Sequence, residues 1–337
     1  MIDRRSVIRG LAALPLLGAG ACGRAAPLGS TAEGPAAGNA GAPAAQEGPL
    51  HTRPIPGAND QVPVIGIGTA RRYADPQGEE QLATLRQTIA RFVELGGKMI
   101  DTAPSYGRAE EVIGGLVQDL GLRNRLFLAT KVAGVTAAEG QTQIAQSFRN
   151  LRTDTIDLIA LHNLQDAANK LAALRELKAQ GRVRSIGASI SSRAGFGPTT
   201  DAIAAQPEQY ADFEAFMRRE RLDTIQVDYA IDNRGAAERV LPLAQEQGLA
   251  VMVNLPFGRG RLFQETEGRP LPDWASEIGV ATWAQFFLKY IVSHPARPIA
   301  IPGMAQPRYV DDNLGAARGP LPDAAMRRRM EEYIDAL

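Results

Sequence analysis

Apolar residues fall along this chain in two alternating rhythms. Short apolar runs such as Leu126-Phe-Leu-Ala-Thr and Asp157-Leu-Ile-Ala-Leu suit strands buried on both faces. Between them lie longer stretches with apolar residues three and four apart. Leu82, Leu85, Ile89, Phe92 and Val93 form one such stripe, which is the spacing of a helix with one buried side. Glycines close several stretches. Gly96-Gly97, Gly121 and Gly181 stand where a helix end takes up a left-handed residue.

The pattern predicts strands at 62–68, 98–101, 126–131, 157–161, 183–188, 222–227, 249–253 and 298–301. It predicts helices over 80–95, 110–120, 142–151, 170–180, 236–247 and 281–293, then near 307–316 and 322–336. The stretches 191–221 and 259–273 read as irregular. Eight strand–helix units in succession predict an α/β fold, a (β/α)8 TIM barrel. A doubly wound sheet would place a G-x-G-x-x-G turn after its first strand. Gly66-Ile-Gly68 comes nearest, but no helix opens directly after it.

In such a barrel the C-terminal strand ends form the active face, and four reactive groups fall there. Asp101 closes the second strand. Tyr106 follows on a loop that Pro104 and Gly107 keep tight. Lys131 closes the third strand and His162 the fourth. Asp101 is expected to keep the buried Lys131 charged. The ammonium is expected to draw the Tyr106 pKa down from about 10 toward the working pH. Tyr106 can then give a proton to an alkoxide forming from a carbonyl, while His162 holds the same oxygen. The group supplies a proton but no hydride, so a redox cofactor is required. A Schiff base on Lys131 is another use of the amine, and the Asp101–Tyr106 surroundings speak against it.

Asp101-Thr-Ala-Pro-Ser-Tyr-Gly107 with Glu110-Glu-Val-Ile-Gly114, and Ile156-Asp-Leu-Ile-Ala-Leu-His162, resemble the aldo-keto reductase family. The resemblance runs from Ile55 to the C-terminus. It implies a catalytic set of Asp101, Tyr106, Lys131 and His162, and NADPH-dependent reduction of an aldehyde, ketone or sugar carbonyl. It also implies cofactor contacts. Ser189 and Gln226 match residues that hold the nicotinamide carboxamide, with Ile190 where asparagine is common. Asn254, Leu255, Phe257 and Gly258 lie in the loop after the seventh strand. The family usually stacks a tyrosine on the nicotinamide there, and Asn254 gives up that contact, worth about 1 kcal/mol. Segment 301–313 matches the grip on the adenosine 2′-phosphate and adenine. Its cation, Arg308, stands one place before the family's arginine position, which Tyr309 occupies, and Asn313 matches the adenine contact. NADPH is the expected cofactor, with NADH as the alternative. Asn254 and Ile190 also leave open a nucleotide-sensing barrel with little turnover.

Residues 1–22 do not belong to this pattern. Arg4-Arg5 precedes an apolar run over 11–21 that falls short of the roughly 20 residues needed to span a bilayer. It reads as an export signal of the twin-arginine type, leading to the periplasm or cell envelope. Ala19-Gly-Ala-Cys22 fits either a lipid on Cys22 or plain cleavage after Ala21. Residues 23–54 are rich in Ala, Gly and Pro and read as a flexible linker, with the barrel at 55–337. Composition adds exclusions. A formal net charge of zero argues against nucleic acid as a partner. One cysteine excludes an intrachain disulfide, and three scattered histidines suggest no metal cluster. The expected partner is a small-molecule carbonyl, with membrane contact only through a lipid on Cys22 and the chain a monomer.

Overall fold

The computed structural model describes residues 48–337 apart from 59, 135, 163 and 191–206. The export signal, Cys22 and most of the linker lie outside the described residues.

The described chain opens with an antiparallel hairpin, β1 (Thr52–Ile55) and β2 (Asp60–Pro63). This divides the single strand expected over 62–68. Pro63, with no N–H to donate, ends the hairpin, and only β3 (Ile67–Gly68) enters the main sheet. Strands and helices then alternate: α1 (Gly78–Glu94), β4 (Met99–Asp101), α2 (Ala109–Asp119), β5 (Phe127–Val132), α3 (Ala137–Asn150), β6 (Ile156–Leu161), α4 (Ala167–Ala179) and β7 (Val183–Ile190). They continue with α5 (Pro207–Arg219), β8 (Thr224–Asp228), α6 (Val240–Glu246), β9 (Ala250–Asn254), α7 (Arg261–Glu265), α8 (Trp283–Val292), β10 (Ile299–Ala300), α9 (Pro307–Gly315) and α10 (Ala324–Asp335). Several helices differ from expectation: α6 begins at Val240 after a short 3-10 turn rather than at 236, and α7 lies inside 259–273, which read as irregular. α3 starts earlier because Thr136 and Glu139 form a capping box, which satisfies two otherwise orphaned N–H groups. α5 lies inside the stretch read as irregular, where Tyr210, Phe213, Phe216 and Met217 are buried at helical spacing.

β3 to β10 are hydrogen-bonded in chain order, every pair parallel. The ends of this sheet meet. Ile65 bridges Ala300 and Gly68 bridges Gly303, and the Gly66 N–H donates to the Ala300 carbonyl at 2.9 Å. The result is a closed (β/α)8 barrel. The seam requires Gly68, since a Cβ there would lie 2.7 Å from the Ile301 carbonyl oxygen.

A large apolar cluster lies between strands and helices. A smaller one fills the barrel with Met99, Phe127, Leu158, Met252 and Ile299, and includes Ile55, Ala58 and Val62 from the hairpin. The hairpin therefore stoppers the N-terminal end of the barrel. Polar ties fix it. Ser185 Oγ donates to the Pro56 carbonyl at 2.7 Å. Arg184 donates to the Ala58 carbonyl and pairs with Asp157 at 2.8 Å. The buried Asp157 carboxylate also accepts from Arg123 at 2.9 Å and from the Leu128 N–H at 2.8 Å, so its burial is compensated.

Candidate active site

All barrel strands run the same way, so their C-terminal ends share one rim. β4 brings Asp101 there, β5 brings Lys131, and His162 follows β6 directly. Lys131 is 2% exposed. Its ammonium donates to Asp101 Oδ2 at 2.7 Å, Asp101 Oδ1 at 2.9 Å and the Thr102 carbonyl at 2.9 Å. The ammonium also lies 5.2 Å from the centroid of the Tyr106 ring, close enough for its charge to act on the hydroxyl.

The loop after β4 sets this contact. The Tyr106 N–H donates to the Ala103 carbonyl at 3.0 Å. Gly107 then turns with φ +57°, and a Cβ there would meet the Ala74 carbonyl at 2.9 Å. Asp101 is anchored from both sides: Gln226 Nε2 donates to its Oδ2 at 3.3 Å, and Thr69 Oγ1 donates to its carbonyl at 2.9 Å. The His162 ring stands edge-on to Tyr106, with centroids 5.9 Å apart. All four expected groups thus come together.

The expected cofactor residues lie on the same rim. Ser189 in β7 is in register with Gln226 in β8, and both are buried. The Gln226 nitrogen is committed to Asp101, while its amide oxygen is buried without a hydrogen-bond partner among the described residues. A buried acceptor of this kind calls for a donor, and a nicotinamide carboxamide N–H would supply one. Asn254 closes β9 in register with Asp228, and its Oδ1 is likewise buried without a partner. Leu255 turns left-handed, with φ +51°, and leads to Gly258. Phe257 is half-buried in the same loop. Its ring packs 4.8 Å from Phe263 and 6.4 Å from Phe287, which braces the loop. α9 follows β10 from the same rim. Arg308 is exposed on its first turn, 5.0 Å from the Tyr309 ring, and Asn313 is buried in α9. These residues fit a nicotinamide dinucleotide.

The profile of the Aldo/keto reductase family matches residues 64–333. The chain belongs to this family. It is 31% identical to methylglyoxal reductase YeaE of Escherichia coli, over 81% of this chain and 91% of that one. It is 27% identical to an NADH-specific methylglyoxal reductase of Escherichia coli, over 59% of this chain and 64% of that one. Among solved structures, an aldo/keto reductase from Klebsiella pneumoniae in complex with NADP and acetate superposes with a TM-score of 0.66. It shares 26% identity and covers 82% of this chain and 93% of that one. The chain is an NAD(P)H-dependent oxidoreductase that acts on carbonyls.

The electrostatics of this aldo/keto reductase meet one expectation and correct another. Burial pulls the Lys131 pKa down, but Asp101 and Tyr106 more than restore it, so the amine stays charged. Burial, helped by the Lys131 charge, pushes His162 down to about 4, which leaves a neutral imidazole at neutral pH. Tyr106 was expected to fall toward the working pH and instead lies above its ordinary value. Burial raises the phenol more than the Lys131 ammonium lowers it, and Asp101 adds to the rise. The free site therefore holds a fully protonated phenol.

Two contributors were not singled out from sequence. The Thr102 carbonyl accepts a hydrogen bond from the Lys131 ammonium, and Ser105 Oγ lies 3.4 Å from His162 Nδ1. Both lie inside the Asp101–Gly107 motif. Their roles depend on how the loop folds back, which residue spacing does not encode.

Proposed function

We propose that this aldo/keto reductase reduces a small aldehyde or ketone to the alcohol with NADPH, with Tyr106 giving the proton. The carrying observation is the buried Lys131 ammonium, bonded to the Asp101 carboxylate and lying 5.2 Å from the Tyr106 ring centroid. Ser189, Gln226 and Asn254 would hold a reduced nicotinamide, which would supply the hydride. As negative charge builds on the substrate oxygen, the Tyr106 O–H donates to it. Lys131 stabilises the phenolate left behind, and Asp101 keeps Lys131 in place and charged. Neutral His162 directs an N–H at the same oxygen. A phenol with a raised pKa suits this task, since it keeps its proton until a stronger base forms beside it.

The test follows NADPH consumption with a panel of carbonyls, methylglyoxal first in view of the similar reductase, for the wild type and Tyr106→Phe. Full activity in Tyr106→Phe would remove the mechanism. A sensing barrel would bind nucleotide and turn over no member of the panel; the assembled proton-donating set weighs against it. The Schiff-base use of Lys131 is disfavoured because its ammonium is engaged by Asp101 and the Thr102 carbonyl. Arg308, exposed on α9, would pair with a 2′-phosphate, which supports NADPH over NADH.

We also propose export. Arg4-Arg5 and the apolar run over 11–21 support a twin-arginine route, which carries folded proteins and so allows cofactor loading before transit. Cys22 then carries a lipid, or the chain is cut after Ala21. Cell fractionation and the intact mass of the mature protein decide between these, and an uncleaved cytoplasmic product would overturn both. A monomer is supported by the surface. Among the described residues, the exposed large apolar side chains are Tyr309 and Leu337, too few for a greasy interface. Light scattering during size-exclusion chromatography tests this.

A further inference from the structure

The reduction proposed above asks one thing of His162 that its position alone does not secure. A neutral imidazole carries a single N–H, on either of two nitrogens. Only the tautomer with its proton on the nitrogen that meets the substrate can donate to a carbonyl oxygen. With the proton on the other nitrogen, a lone pair would face the oxygen and repel the developing charge.

The structure holds the imidazole by one polar contact. Ser105 Oγ lies 3.4 Å from His162 Nδ1, and no other described residue hydrogen-bonds the ring. The contact is long, as hydrogen bonds of catalytic groups often are before substrate arrives. It identifies Nδ1 as the ring edge turned toward the Asp101–Gly107 loop, and so leaves Nε2 as the edge available to a ligand. Tyr106 stands across the ring plane at an interplanar angle of 84° and restricts its tilt. The neutral state on which the choice of tautomer depends follows from burial and the Lys131 charge.

We propose that Ser105 is a positioning residue for His162, its hydroxyl donating to Nδ1 and so fixing the tautomer that carries the proton on Nε2. This rests on the carbonyl-reduction reading for its purpose but not for its geometry. Ser105 is exposed and contributes little to the core, so its replacement leaves the scaffold intact. Threonine offers the same hydroxyl and alanine offers none.

The test compares wild type, Ser105→Ala and Ser105→Thr in two ways. Nitrogen-15 spectra of the imidazole rings distinguish the two neutral tautomers, and the signal absent from His162→Gln identifies the ring. In the wild type with NADPH, His162 should show the Nε2–H form. Ser105→Ala should move its ring resonances toward a mixture of tautomers, and Ser105→Thr should restore them. Steady-state kinetics should show kcat/KM falling roughly fivefold in Ser105→Ala, the loss of about one hydrogen bond, with NADPH affinity unchanged and threonine again restoring it. Ring resonances in Ser105→Ala that coincide with those of the wild type would overturn the proposal, as would an Nδ1–H wild type. Should the wild type reduce no carbonyl, the reduction reading fails while the spectra still decide on Ser105.

Discussion

Asp101 and Lys131 meet through both carboxylate oxygens, at 2.9 and 2.7 Å, and their side chains are only 5% and 2% exposed. Neither charge has water to fall back on. Asp101→Ala leaves an ammonium buried with only the Thr102 carbonyl and the Tyr106 hydroxyl. Breaking a buried pair in this way costs about 3–5 kcal/mol. Urea unfolding should register that loss, and adding Lys131→Met to Asp101→Ala should recover much of it. A single variant as stable as the wild type would mean the pair is not what holds this rim.

Tyr106→Phe keeps the ring and removes the proton. The turnover number should fall by roughly 10²- to 10⁴-fold, the usual contribution of a positioned general acid. NADPH affinity, measured by fluorescence titration, should not change, because the hydroxyl faces substrate rather than cofactor.

Acid should weaken the fold through two histidines. His162 and His294 are both pushed down to about 4, by burial first and then by Lys131 and Arg327 respectively. Unfolded, each protonates near 6.5. Between those values the unfolded chain binds more protons, so stability is complete above about pH 6.5 and is lost as pH falls toward 4. Allowing for the partial exposure of His294, the combined loss is on the order of 1–3 kcal/mol. Urea midpoints between neutral pH and about pH 4.5 should show this decline, and His294→Gln should flatten part of it.

Asn254→Tyr supplies the flat ring that β9 lacks at its end. NADPH should bind roughly fivefold tighter, equivalent to about 1 kcal/mol of aromatic contact. Calorimetric titration measures this directly. Unchanged or weaker binding would show that the Asn254 amide, whose Oδ1 is buried without a partner, already makes an equivalent contact.

The barrel strands were readable because parallel strands covered on both faces are apolar throughout, so a charged residue at the end stands out. Asp101, Lys131 and His162 could be placed for that reason. The hairpin could not. Thr-Arg-Pro-Ile and Asp-Gln-Val-Pro are short and half polar, and they are strands only because the barrel floor needs covering. α5 carries a helical stripe in Tyr210, Phe213, Phe216 and Met217, but 191–206 before it mixes Gly, Pro, Ser, Thr and Ala without a period, so the sequence marks no start for the helix. The Tyr106 pKa departs from the sequence expectation for a different reason. Its neighbours were visible in the sequence, whereas the depth at which the phenol is buried is a property of the assembled fold, and depth outweighed the nearby cation.

The hairpin stopper has a consequence for traffic. With Ile55, Ala58 and Val62 packed into the floor, the described residues close the N-terminal end, which leaves the C-terminal mouth for traffic. Two guests that share one doorway have to take turns, and the deeper one is trapped by the shallower. Dead-end inhibitors resembling the alcohol product should therefore slow departure of the spent nucleotide as well as entry of fresh carbonyl.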